Sequence, residues 1–225
     1  MTDGDPGVGF ALTASVRSGF LFREGAGKPS GTLRLSRIHM PTTPSTHLLV
    51  AMRGRHIVRF DRRFEKIPMR GYILDVGPKF FLLALVSDRL WFDGFECLQI
   101  GDVRNFRRDP QARFAEAALR KRGERLPRKL RLGVRNLQEL LVEAGRRFPL
   151  VAIHREKVDP DVCWIGRILQ VERDWMSLLG MTPDATWEKK PERFRLSEIT
   201  RVSFGGDDET ALHLVGGNPE PAYED

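Results

Sequence analysis

The stretch "ERFRLSEITRVSF", residues 192–204, has the apolar rhythm of "ECLQIGDVRNF", residues 96–106. Glu96 falls on Glu192, Leu98 on Phe194, Ile100 on Leu196, Asp102 on Glu198 and Val103 on Ile199. Working outward, a displacement of 95 places Gly71 on Gly166, Ile73 on Ile168, Leu74 on Leu169, Val76 on Val171, Phe80 on Trp175 and Leu83 on Leu178. One extra residue in the loop that follows brings Trp91 onto Trp187 and leads into the first match. Any two amphipathic β-meanders share alternating apolar positions. This match also includes a glycine opening the second strand, a tryptophan near the long turn and an acid before the last apolar pair. Those features are not needed by a core, so the chain reads as an internal repeat.

The alternation names the strands. In the first block they are "HIVRF", "GYILDV", "KFFLLALV", "RLWFDGF" and "CLQIGDVRNF". In the second they are "LVAIHRE", "CWIGRILQV", "WMSLLGM", "ERFRLSEI", "RVSFG" and "TALHLVG". Between the blocks, "DPQARFAEAALRKRGERLP" reads as a helix capped by Asp109, with Pro110 at its first position and Phe114, Ala117, Ala118 and Lys121 on one face, stopping at Gly123. A second helix starts at the N-cap Asn136 and presents Leu137, Leu140, Leu141 and Ala144.

The strand order, with a turn before a glycine-opened second strand and an apolar third strand, resembles the Sm-like barrel. That is the fold of the bacterial RNA chaperone Hfq and of eukaryotic Sm proteins, and more broadly of SH3-like small barrels. The closer match is Val151–Val202, where "VAIHRE...WIGRILQVERDWMSLLGM" corresponds to the family's first motif and "FRLSEITRV" to its second. His56–Phe106 follows the same order with no evident helix in front. The resemblance implies a mainly β chain with some α: two tandem Sm-like or SH3-like small β-barrels joined by a helical connector. The expected plan is a flexible leader at 1–47, a first barrel at 48–106, a helix and basic connector at 107–135, a helix plus second barrel at 136–216, and a flexible tail at 217–225. The repeat would mimic a dimer within one chain, as a monomer with a pseudo-twofold repeat or as part of a homo-oligomer. In Sm-like proteins an aromatic residue before the third strand stacks on a base, and Phe80 and Trp175 fall near that place; the competing reading is that both rings cover the core. The chaperone's basic and aromatic second segment has no counterpart here, where Asp102 and Glu198 stand instead.

The formal charge of +7 is segregated: residues 107–135 carry net +8 and residues 159–225 net −7. Such asymmetry suits either an anionic partner or an internal electrostatic contact. In "RKRGERLPRKLRLGVR", Arg120, Lys121, Arg122, Arg125, Arg128, Lys129, Arg131 and Arg135 can follow a phosphate backbone, or can simply solvate a linker. The leading expectation is a non-catalytic cytosolic binding protein for RNA or another nucleic acid, using this stretch, with Phe80 as the candidate stacking residue. The alternative is a protein-interaction or regulatory module that binds a protein partner through strand edges.

Other chemistries find weak support. "GAGKPS", residues 25–30, has Phe22 and Pro29 where a phosphate loop needs glycine and Ser or Thr. His154, Asp159, Asp161 and Cys163 read as an ordinary hairpin rather than a metal or thiol site, and "GGDDE", residues 205–209, as a solvated turn lacking calcium-loop spacing. Cys97 and Cys163 read as buried thiols. No cofactor is expected. The longest apolar run, Phe80–Val86, is far short of the ~20 residues that span a bilayer, so no membrane association is expected. The clusters "DGDPGVG", "GAGKPSG" and "PTTPST" suggest a disordered start, with translation from Met40 or Met52 as a possible alternative.

Overall fold

A computed structural model describes residues 43–126 and 132–220. Helix α1 (Pro44–Gly54) leads into strands β1 (Val58–Arg62), β2 (Met69–Val76), β3 (Phe80–Val86) and β4 (Phe92–Gln99). A 3₁₀ turn (Ile100–Asp102), strand β5 (Val103–Arg108) and helix α2 (Ala112–Lys121) complete the first half. The second half repeats that order: α3 (Leu137–Arg147), β6 (Val151–His154), β7 (Cys163–Val171), β8 (Trp175–Gly180), β9 (Glu192–Arg195), a 3₁₀ turn (Leu196–Glu198), β10 (Arg201–Phe204) and α4 (Asp207–Gly216). All ten strands form one open antiparallel sheet in the order β5-β1-β2-β3-β4-β10-β6-β7-β8-β9.

Register supports the sequence match. Gly71 pairs with Leu85, and 95 residues on Gly166 pairs with Gly180. A bulge interrupts β2 between Ile73 and Asp75 and β7 between Ile168 and Gln170, the same place in both halves. A Cβ on Gly71 would run into the carbonyl oxygen of Ala84, and one on Gly166 into that of Leu179, again 95 residues on. Only glycine lets those strands close up, which is why the glycine recurs. Val76 and Val171 are half-buried; Val76 packs against a core cluster within the first half, and Val171 against one shared by both halves.

Unlike strands form the seam. β4 of the first half pairs with β10, the counterpart of β5, through Leu98↔Arg201, Cys97↔Val202, Glu96↔Ser203 and Phe95↔Phe204. A pseudo-twofold would pair like with like, so the expected dimer mimicry is corrected: the halves join head to tail. One core cluster crosses the seam, gathering Phe80, Leu82 and Cys97 with Leu140, Leu141, Val151, Met176, Phe194 and Val202. A second lies within the first half under α1, around Leu48, Phe60, Phe81, Leu83 and Leu98.

Several other expectations change. The first half does have a helix in front, and Pro44–His47, assigned to the leader, are its first turn. A chain begun at Met52 would lack Leu48 and Ala51, both in the core. "TALHLVG" lies wholly in α4, not in a strand, and "GGDDE" opens that helix: Asp207, Asp208 and Glu209 occupy its first turn, where the dipole favours acids. α2 is not a free connector, because Ala112, Ala115 and Leu119 pack on Ile57, Tyr72, Ala84 and Val86 of the first half. Its buried face is therefore not the expected one, and Phe114 is 66% exposed. Asp109 Oδ1 accepts from the Gln111 amide at 2.7 Å, close to its expected capping role. Asn136 caps α3 as read, accepting from the Gln138 amide at 2.9 Å. The single-residue offset also moves: Val86↔Phe92 matches the bridge Met181↔Trp187, so Trp187 takes the place of Phe92, not of Trp91. Residues 1–42 and 221–225, with "GAGKPS" and most of the tail, lie outside the described residues.

Candidate nucleic-acid interface

The basic run leaves the end of α2. Arg120 and Lys121 stand in its last turn, Arg122 caps it, and all three are exposed, as is Arg125. Arg135 is exposed just before α3, and Arg128, Lys129 and Arg131 lie outside the described residues. No aromatic interrupts this run in sequence, yet folding supplies one. The β3–β4 hairpin turns back through Leu90 in the left-handed region, φ 61°, and delivers Trp91 to the end of α2. The Arg122 guanidinium carbon lies 5.9 Å from the Trp91 ring centroid and that of Arg89 5.6 Å from it.

Two contacts fix this ring. The indole Nε1 donates to Asp207 Oδ2 at 3.1 Å, and the Phe92 amide donates to Glu124 Oε2 at 3.4 Å, tying the exit of α2 to β4. Asp207 is held in turn, its amide donating to Asp93 Oδ1 at 2.9 Å. A half-buried indole flanked by guanidinium groups offers planar surfaces that can stack on bases, next to cations that can meet phosphates.

Phe80 is placed differently. It is 8% exposed and belongs to the core cluster that crosses the seam, so its ring is not open to a base. Trp175 occupies the equivalent position at the free end of the second half, half-buried, with the Arg193 and Arg195 guanidinium carbons 5.4 and 4.8 Å from its centroid. Trp175 is thus more open than Phe80, which the core cluster at the seam encloses. Sequence reasoning missed Arg89 and Trp91; the one available signal was "DRLW" at a turn between two strands, with an arginine beside the tryptophan.

Much of the remaining charge is spent at the seam. Arg201 clamps Glu96 through Nε (2.7 Å) and Nη2 (2.5 Å) and reaches Glu65 through Nη1 (2.6 Å). Ser203 adds a donor to Glu96 at 2.7 Å. Arg62, whose side chain is fully buried, grips Glu156 at 3.0 and 2.6 Å. Burial works against the Arg201 charge, but Glu96, Glu65 and Glu156 outweigh it and hold the guanidinium protonated. Buried pairs of this kind define a seam geometry more than they add net stability. Beside them, burial, followed by Arg201 and Arg62, pushes His154 well below the usual imidazole range. Arg155 pairs with Asp159 of the hairpin at 2.9 Å and with Glu198 at 3.2 Å. Burial raises both Cys97 and Cys163, away from thiolate chemistry. Among the described residues, no group of three or more His, Cys, Asp or Glu is placed to hold a metal ion, and no helix is long and apolar enough to cross a membrane.

No family model, curated protein or solved structure matches the chain.

Proposed function

We propose that the chain is a non-catalytic cytosolic protein that binds single-stranded nucleic acid, RNA foremost, on the first half's surface where α2 ends. The observation carrying this reading is Trp91, held between Arg89 and Arg122 beside the exposed Arg120, Lys121 and Arg125. Stacking supplies sequence-tolerant affinity of about 1–3 kcal/mol per base, and the cations supply a salt-dependent phosphate term. Each half is read as a small Sm-like barrel. Its support is the strand order 5-1-2-3-4 in both halves, with strands 4 and 5 joined by a 3₁₀ turn and a bulge bending strand 2. The seam arginines find their partners outside the acidic C-terminal third: Arg62 pairs with Glu156, and Arg201 with Glu96 and Glu65.

Fluorescence anisotropy with a labelled single-stranded RNA of ~12 nucleotides, within the site sizes typical of such proteins, tests the reading. Trp91→Ala should weaken binding about 5- to 150-fold while leaving its salt dependence unchanged. Replacing Arg120, Lys121 and Arg122 with alanine should make the plot of log K against log salt shallower by about 2. Absence of binding at low ionic strength would shift the choice to a protein-interaction module working through the strand edges.

A further inference from the structure

On the face of the first half that α2 covers, three arginines stand in register across three strands. Arg107 of β5 is the Cα partner of Arg59 of β1, and Arg59 is the partner of Arg70 of β2. Directly opposed residues on one sheet face have Cβ atoms about 4.5–5.5 Å apart, and like charges so placed are destabilising. Arg70 is neutralised by Asp109 and Asp88, each at 3.3 Å. Arg59 and Arg107 have no carboxylate partner among the described residues, and the Nε of Arg59 is buried without a hydrogen-bond partner.

The second half shows that the fold does not need this row. Its counterpart is Ser203–Ala152–Ile165, in the same register and continued by Met181 where the first half has Val86. There Ala152, Ile165 and Met181 form an apolar cluster against which Leu212 of α4 packs. Apolar residues fill this place when it only has to be a core, so the arginines answer a different requirement. A guanidinium pair that lacks an anionic partner among the described residues matches phosphate oxygens, which it can engage with paired N–H donors.

We propose that Arg59 and Arg107 form a phosphate-binding row for the backbone of the same nucleic acid strand; this rests on the reading of Trp91 and Arg122 above. The row lies beside the start of α2, where Arg70 meets Asp109, and Trp91 lies beside its end. The ten residues of α2 separate the two points by about 15 Å, so one strand running along the helix reaches both.

The test exchanges the row for its counterpart, Arg59→Ala with Arg107→Ser. Without ligand, this variant should melt at or above the wild-type temperature because a like-charge pair is relieved; a clear drop would mark the arginines as structural and overturn the proposal. With the ~12-nucleotide RNA, the plot of log K against log salt should become shallower by about 1.4, and Arg59→Lys with Arg107→Lys should restore most of the slope. An unchanged slope in the exchanged variant, beside a shallower one on loss of Arg120, Lys121 and Arg122, would remove the row and leave the nucleic-acid reading standing. If the wild type binds no RNA, tripolyphosphate separates the two ideas. A rise in melting temperature seen in the wild type and absent from the exchanged variant supports the row alone, and no rise in either overturns it.

Discussion

Glu209 shows how one residue connects helix capping, seam electrostatics and pH. Its side chain accepts from the Gly206 amide at 3.0 Å, closing the first turn of α4. Burial, then the nearby charge of Glu96, pushes its carboxyl up to about 7 from an ordinary 4.5. A carboxyl raised in the folded state binds its proton more tightly than in the unfolded chain, so its stabilising contribution is present at low pH and is lost as pH rises through 7. His154 acts in the opposite sense: its lowered value favours the fold above about 6.5 and is lost below it. The wild-type profile alone would mix the two. Urea unfolding of wild type and Glu209→Gln at pH 5.5 and pH 8 separates them, because only the Glu209 contribution differs. The stability difference between the proteins should change by about 2 kcal/mol between these pH values, with wild type gaining on the acid side. Parallel profiles would show that Glu209 titrates as an exposed acid.

At the scale of elements, β2 and β7 carry the clearest test of the repeat. Both run so close to the third strand of their half that a methyl group at Gly71 or Gly166 meets a backbone carbonyl, which cannot rotate away as a side chain can. Gly71→Ala and Gly166→Ala should each lower unfolding free energy by about 3 kcal/mol or more, seen as a shift in the urea midpoint with little change in slope. Tolerance at one glycine only would mean that the two halves are not packed alike. Those glycines were legible because a close approach excludes every other residue type. The apolar alternation of β1 and β8 was legible because one sheet face is buried, β3 and β6 were legible as short apolar runs because both faces are covered, and α3 because its cap and apolar stripe agree. α1 was not, because "PSTHLLVAMRG" follows a Pro- and Thr-rich run and has only a weak apolar face. α4 imitated a strand through the spacing of Ala211, Leu212, Leu214 and Val215, although three acids ahead of it marked a helix start. The offset near Trp91 was misplaced because the bulged return of β3 to β4 leaves no mark in an apolar count. Arg120, Lys121 and Arg122 were visible as charge. Their contact with Trp91 was not, because a hairpin and a helix some 30 residues apart meet only through tertiary packing.

On the scale of the whole molecule, the head-to-tail seam leaves β5 and β9 as the outer strands, and these are the counterparts of the two strands joined inside. A copy of the chain could in principle add to either end by the same pairing, generating a ring or a filament. Side chains argue against it. At the seam Phe95 faces Phe204, and Gln99 donates its backbone amide to the Thr200 carbonyl at 3.3 Å and its side-chain amide to the Ile199 carbonyl at 3.0 Å. Carried 96 residues along, Phe95 becomes Pro191 and Gln99 becomes Arg195, while Phe204 and Thr200 correspond to Arg108 and Arg104 of β5. An external seam would therefore set a proline against an arginine, and two arginines against each other. Proline and charge on short strands are the usual means of blocking edge pairing. The chain should sediment as a monomer at micromolar concentrations. Restoring the seam residues, with Pro191→Phe and Arg195→Gln on one edge and Arg104→Thr and Arg108→Phe on the other, should produce concentration-dependent association in sedimentation equilibrium. A wild-type protein that already forms a discrete oligomer through these edges, or a restored variant that stays monomeric across the range, would show that edge composition does not decide where the sheet ends.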